Sequence, residues 1–211
     1  MFIGHFAVAY LLITLFPVVP PLVILFGVSF PDLLWPLLIF TGKETVTVSP
    51  DNPLQNAIQF TSYPYSHSLV IGSLIATVPG LFIGYFVSPV AGILFVAASA
   101  SHWLLDVVTH LKDLPVIGMG KDVKAGFGLW NYPKAAFVLE LAFYTIVTVL
   151  VVQPALVIPL LILGCAFHLI NANSFFGFSM KNPFTPRSYA VLALFGFFAF
   201  IGVAGWIFMK I

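Results

Sequence analysis

Charge is what this sequence has least of. Its 211 residues include eight lysines and arginines and seven aspartates and glutamates, only 7% of the chain, against about 25% in an ordinary soluble domain. No soluble surface can be assembled from so few charged side chains, which excludes an ordinary cytosolic enzyme and a disordered chain. With a formal net charge of +1 there is no excess of one sign, hence no basic stripe for nucleic acid. The single cysteine, Cys165, excludes a disulfide framework and a cysteine-rich metal site. An internal repeat and a low-complexity tract are also missing. The first apolar run has neither the basic stretch before it nor the small-residue cleavage site after it that mark a removable signal peptide.

Hydrocarbon fills the chain instead: 61% of residues are hydrophobic and the mean hydropathy is +1.10. A membrane-crossing helix needs about 20 mostly apolar residues. Segments of that kind fall at about 2–16, 21–40, 67–87, 90–110, 135–152, 155–171 and 188–209. Pro17-Val18-Val19-Pro20-Pro21, Ser88-Pro89 and Gln153-Pro154 leave room only for tight turns, because proline ends the helix before it. The expectation is an all-α, polytopic membrane helix bundle forming one domain over 1–211. It has about seven transmembrane helices, or six if the first is only partly inserted. The long polar connections, 41–66, 111–134 and 172–187, then share one side. They carry Lys43, Lys112, Lys121, Lys124, Lys134, Lys181 and Arg187, while Lys210 alone is opposite. The positive-inside rule puts the long loops and the N-terminus in the cytoplasm.

Ionisable residues in membrane helices are costly and by default mark a functional site. Here they gather at the loop-bearing side: His5, His67, His102, His110 and His168, with Asp32, Asp106 and Glu140. The densest run is Ser101-His102-Trp103-Leu104-Leu105-Asp106-Val107-Val108-Thr109-His110. His102, Asp106 and His110 stand at i, i+4 and i+8, and each step drifts only about 40° around a helix, so they line one stripe. Imidazole and carboxylate one turn apart can hold one divalent ion. A buried hydrogen-bond ladder without metal is the alternative. In Phe30-Pro31-Asp32 the proline is expected to break the second helix, leaving Asp32 as a ligand, as a cap for the following half-helix, or as both. His67, in Ser66-His67-Ser68, is a further imidazole for such a site or an interfacial residue facing headgroups. Glu140 can complete the metal shell, steady a histidine, act as general base, or be a protonated structural glutamate. His168 reads better as a satisfied core histidine, with Asn171 and Asn173 as partners.

Gly4-His5, Phe30-Pro31-Asp32, Ser66-His67-Ser68 and Ser101-His102-Trp103-Leu104-Leu105-Asp106, in this order, form a recognisable pattern. It resembles the bacterial and archaeal inner-membrane proteins described as predicted membrane-bound metal-dependent hydrolases, the group that includes the LexA-binding inner-membrane protein. The resemblance covers about residues 4–140, including Asp113-Leu114-Pro115 and Gly128-Leu129-Trp130-Asn131. Many relatives have Pro-Asp-x-Asp where this chain has Pro31-Asp32-Leu33-Leu34, and His-Arg upstream of His-Ser where it has Ser62-Tyr63-Pro64-Tyr65. Those departures weigh toward one ion over two. The resemblance implies a hydrolase with a distant likeness to zinc phospholipases, and leaves the substrate open.

These readings assign Asp32, His67, His102 and Asp106 to a divalent metal, zinc first and manganese or magnesium next, and Glu140, His110 and His5 to catalysis. The expected function is hydrolysis of a phosphoester or lipid-like substrate at the cytoplasmic face. The expected partners are the lipid bilayer and a phospholipid substrate. Two other classes stay open: an ion or proton transporter using the same residues, and a non-catalytic membrane scaffold.

Overall fold

The computed structural model describes residues 1–210. Among them are eight α-helices: α1 (Ile3–Leu15), α2 (Pro21–Phe40), α3 (Leu69–Phe86), α4 (Pro89–Thr109), α5 (Pro133–Val151), α6 (Pro154–Ile170), α7 (Asn173–Phe176) and α8 (Pro186–Lys210). Seven of them lie on the apolar segments marked by hydropathy, and α7 is a single turn in the last long connection. The helices begin where their chemistry allows. Proline stands at the first position of α2, α4, α5 and α6, where its missing N–H costs nothing. Ser68 and Ser88 cap α3 and α4 through their side-chain oxygens.

Five helices (α2, α3, α4, α5 and α8) are long and apolar enough to cross a membrane. At 13 and 17 residues, α1 and α6 are shorter, about 20 and 26 Å of rise. The bundle is apolar outside as well as inside: Val78 and Leu81 of α3 and Leu150 of α5 are at least 70% exposed. In contrast α1 is the central element. It packs on α2, α4 and α5, and Ile3, Phe6, Ala7, Ala9 and Tyr10 on it are fully buried.

The alternation of short and long connections brings the three long ones to one end. There they fold onto each other. The first contains a two-stranded antiparallel hairpin, β1 (Thr45–Thr47) with β2 (Gln59–Ser62); the second contains another, β3 (Leu114–Pro115) with β4 (Lys124–Ala125). The amide of Asn182 donates to the carbonyl of Pro50 at 2.7 Å, tying the third to the first. The rings of Phe60 and Trp130 stack with centroids 6.4 Å apart, tying the first to the second.

Sequence reasoning expects Pro31 to break α2, yet the helix runs through it from Pro21 to Phe40. A proline removes one backbone donor and pushes the carbonyl four residues back off the axis. Next to that carbonyl, the oxygen of Val28 accepts a hydrogen bond from His102 Nδ1 at 2.7 Å. A side chain of α4 thus bonds backbone of α2 within the turn before the proline, and the helix continues through it.

Helices α3 and α4 meet through glycines. A Cβ on Gly92 would collide with the carbonyl oxygen of Gly80 and the backbone of Gly84, whereas a Cβ on Gly196 in α8 would have nothing within 4 Å. Gly92→Leu should therefore cost about 1–3 kcal/mol by overpacking, while Gly196→Leu should leave stability near wild type. Thermal unfolding in detergent compares the two, and equal midpoints would contradict this packing.

Candidate metal centre

Asp32 on α2, His67 just ahead of α3, and His102 and Asp106 on α4 converge beneath the loop end, with His5 of α1 against them. Asp106 is the hub. Its Oδ1 lies 2.7 Å from the Met1 amine and 3.2 Å from His5 Nε2; its Oδ2 lies 3.1 Å from His102 Nε2 and 3.7 Å from His110 Nε2. Asp32 faces the other way, with Oδ1 3.2 Å from His67 Nε2 and Oδ2 3.5 Å from His102 Nε2. It makes no hydrogen bond to a helix amide, so its role as a cap is replaced by contacts with two imidazoles. His5, His67, His102 and Asp106 are each less than 7% exposed.

Hydrogen bonds at the far side of each ring fix which nitrogen points inward. His102 Nδ1–H donates to the Val28 carbonyl, so Nε2 is the atom turned to both carboxylates. For His67 a relay does the same. The Ser66 hydroxyl donates to Glu44 Oε2 at 2.6 Å, so its oxygen accepts from His67 Nδ1–H at 2.7 Å and leaves Nε2 facing Asp32. Glu44 is held in turn by the amides of Tyr65 and Ser66 at 2.7 and 2.8 Å and is 1% exposed. Outer carboxylates that orient a histidine in this way are typical of metal sites. Glu44 escapes sequence reasoning because it sits in a polar loop, where an acid reads as solvated. Its only cue is a lone acid at the start of a strand-forming run.

His5 stacks face to face on His102, with centroids 3.6 Å apart and planes 7° from parallel. Two imidazolium ions cannot sit so closely, so at most one of the rings carries a proton charge. Neither nitrogen of His5, nor Nε2 of His102, is aligned for a hydrogen bond. Buried polar atoms without partners ask for an explanation. Two sets of three have ligand atoms mutually within 4.8 Å: His5, His102 and Asp106, and Asp32, His67 and His102. Donors held about 2.0–2.1 Å from a tetrahedral zinc lie about 3.3 Å apart. The spacings of 3.1–3.5 Å between imidazole nitrogens and carboxylate oxygens here match that edge length. In each triad the residue types, the inward nitrogens and the atoms without partners fit a divalent ion.

The remaining residues singled out from the sequence stand around this cluster. His110 caps the end of α4, with Nδ1 3.3 Å from Asp113 and 3.4 Å from the Tyr63 hydroxyl. Burial, with Asp113 and Asp106 nearby, pushes the Tyr63 phenol well above its ordinary pKa, so it keeps its proton at neutral pH. Glu140 reaches from α5 to the start of α1, where its Oε1 accepts from the amides of Phe2 and Gly4. Those are orphan donors of a helix N-terminus, and a carboxylate there is stabilised by the helix dipole as well. His168 donates from Nε2 to the Phe137 carbonyl at 2.9 Å and stacks on the Phe137 ring, as a core histidine does; its ring bonds neither Asn171 nor Asn173, and only the Asn171 amide reaches its carbonyl. A cavity of about 530 Å³ opens beside the cluster, lined by Asp32, His67, Asp106, His110 and Glu140 on its polar side.

Comparison of the chain with known protein families, with curated proteins and with solved structures finds no match in any of the three.

The relay to His67 makes a specific prediction. Glu44→Gln and Ser66→Ala should each weaken zinc binding about 10–100-fold without abolishing it, the usual cost of removing an outer partner. Calorimetric titration of chelator-treated protein reads this directly. Wild-type affinity in both variants would remove His67 from the ion's ligands.

Proposed function

We propose that this chain is a membrane-embedded, metal-dependent hydrolase whose centre lies at the cytoplasmic face. The observation that carries the reading is the meeting of a buried and a half-buried carboxylate with inward-pointing imidazole nitrogens at 3.1–3.2 Å, beside a cavity large enough for a substrate. The resemblance to predicted membrane-bound metal-dependent hydrolases supports it in kind. In this reading the five long helices and the shorter α1 and α6 all cross the bilayer. The short α1 reaches both faces only with its flanking turns, which is tolerable for a helix sheathed by others. The basic long loops face the cytoplasm.

Asp32, His67, His102 and Asp106 would hold the ion, zinc before manganese or magnesium, and His5 lies close enough to Asp106 to join them. When bound, such an ion acidifies a water and offsets charge developing on the scissile phosphoester or ester oxygen. The chain supplies the rest. Glu140 has one carboxylate oxygen tied to α1 and the other available to take a proton from water within the cavity. His110, on the cavity wall beside Asp106 and Asp113, is placed to return a proton to the leaving group. Tyr63 and Trp130 pack around the His110 ring and shield that end from bulk water. A transporter finds less support. Among the described residues the far halves of the helices offer the Tyr10–Tyr144 hydroxyl pair at 3.1 Å and no buried acid or histidine to continue a path.

Protein purified without chelator should contain about one zinc per chain by elemental analysis. His102→Ala and Asp106→Ala should each lose most of it, and the double variant should be scarcely worse, because ligands of one ion act as a unit. Glu140→Gln should keep metal and fold but lose about 10²–10⁴-fold in turnover of a phosphoester or lipid ester, the usual share of a general base. Loss of metal in Glu140→Gln would make the glutamate a ligand; full metal in His102→Ala would remove the centre itself.

The orientation has its own test. In a Cys165→Ala background, Asp122→Cys in the second long loop should resist an impermeant thiol reagent in intact cells and react in inverted vesicles. Labelling from outside would reverse the topology.

A further inference from the structure

The cavity beside the cluster has a second half that the proposed chemistry does not use. It extends past Phe167 and Ile170 of α6 to Leu192, Phe195, Gly196 and Phe197 of α8, all apolar. Two of these residues are also on the outside of the bundle: Ile170 is 76% and Phe195 71% exposed. The cavity thus opens sideways between α6 and α8, onto the surface that faces lipid in the membrane reading. Residues 192–197 lie about 9–17 Å along α8 from its start at Pro186, so the opening descends from headgroup level into the hydrocarbon. Its volume of about 530 Å³ is within the range of small-molecule sites, about 300–1,000 Å³.

We infer that the α6–α8 half of the cavity binds one acyl chain of a bilayer phospholipid, with the lipid's polar head directed at the Asp32–His67–Asp106 end. The inference rests on the hydrolase reading for the purpose of the site and specifies its substrate class as an acyl lipid rather than a water-soluble ester. An apolar wall continuous with the lipid phase has no role for a soluble phosphoester, whose entry would run through the polar loops. A chain leaving the bilayer for this slot exchanges one apolar surrounding for another, so its tail needs no hydrophobic driving force to enter and the selectivity falls to the head. Among the described residues that line the cavity there is no lysine or arginine to grip a phosphate. The head's negative charge must therefore be met at the metal end.

Gly196 provides the test, since a side chain there would project into open space without striking a neighbour. Full-length protein is reconstituted in nanodiscs of phosphatidylethanolamine and phosphatidylglycerol, with a trace of phosphatidylglycerol carrying a diazirine on one acyl chain. After irradiation, adducts are mapped by mass spectrometry. Phe197 is 5% exposed and out of reach of lipid on the bundle's exterior, whereas Phe82 on α3 is 65% exposed and reports ordinary surrounding lipid. Adducts are expected at both. Gly196→Trp, by filling the slot, should remove most of those at Phe197 and leave Phe82 unchanged; Gly196→Leu serves if the tryptophan variant does not fold. No adduct at Phe197 in the wild type, or no change on filling the slot, overturns the site. Metal content is measured on the same samples. Wild-type protein without metal but with the Phe197 adduct would sink the hydrolase reading and leave the lipid site standing. Protein with metal but without the adduct would do the reverse.

Discussion

Two carboxylates, Asp32 and Asp106, sit inside an apolar bundle with imidazole nitrogens of His5, His67 and His102 at 3.1–3.5 Å from them. That arrangement constrains everything around it. Burying a carboxylate without positive charge is prohibitive, and breaking one partner from a buried pair is strongly destabilising. Positive charge must therefore be present, as protons on the histidines, as the Met1 amine beside Asp106, or as a metal ion. His5 and His102 stack at 3.6 Å and cannot both be charged, so without an ion the balance falls to the Met1 amine and the remaining imidazoles. A divalent ion answers both carboxylates at once.

The rest of the bundle serves this centre. Helix α1 is short but lies in the middle, which brings His5 against His102 and the amides of Phe2 and Gly4 against Glu140. Helix α2 runs through Pro31 and gives His102 the Val28 carbonyl to grip. The loops close the cluster's open end with two hairpins and the Phe60, Tyr63 and Trp130 rings around His110. Each of these is a backbone or ring feature doing for a histidine what its own helix cannot, namely fixing a tautomer or excluding water.

Much of this was legible in the sequence because the signals are periodic. Seven apolar runs separated by proline gave seven helices within a few residues, and the i, i+4 spacing of His102 and Asp106 put them on one stripe of α4. The placement of Asp32, His67 and His5 beside that stripe followed from where each stood on its own segment. What periodicity cannot reach was missed. Glu44 is linked to His67 through Ser66, a contact across 22 positions brought together by the first hairpin. The continuity of α2 through Pro31 depended on a donor from another helix, which local rules for proline leave out of account. Glu140 was seen as a functional acid, but its hold on the start of α1 required knowing that α1 and α5 run side by side.

On the metal reading the geometry also bears on how many ions the centre can take. The two possible ligand triads, His5–His102–Asp106 and Asp32–His67–His102, share His102. That ring has committed Nδ1 to Val28, so it has one nitrogen to offer. A neutral imidazole nitrogen carries a single lone pair and cannot bridge two ions. Both triads therefore cannot be filled together. That one nitrogen lies 3.1 Å from Asp106 and 3.5 Å from Asp32, so an ion bound to it would find a carboxylate on either side, two negative charges for its two positive ones.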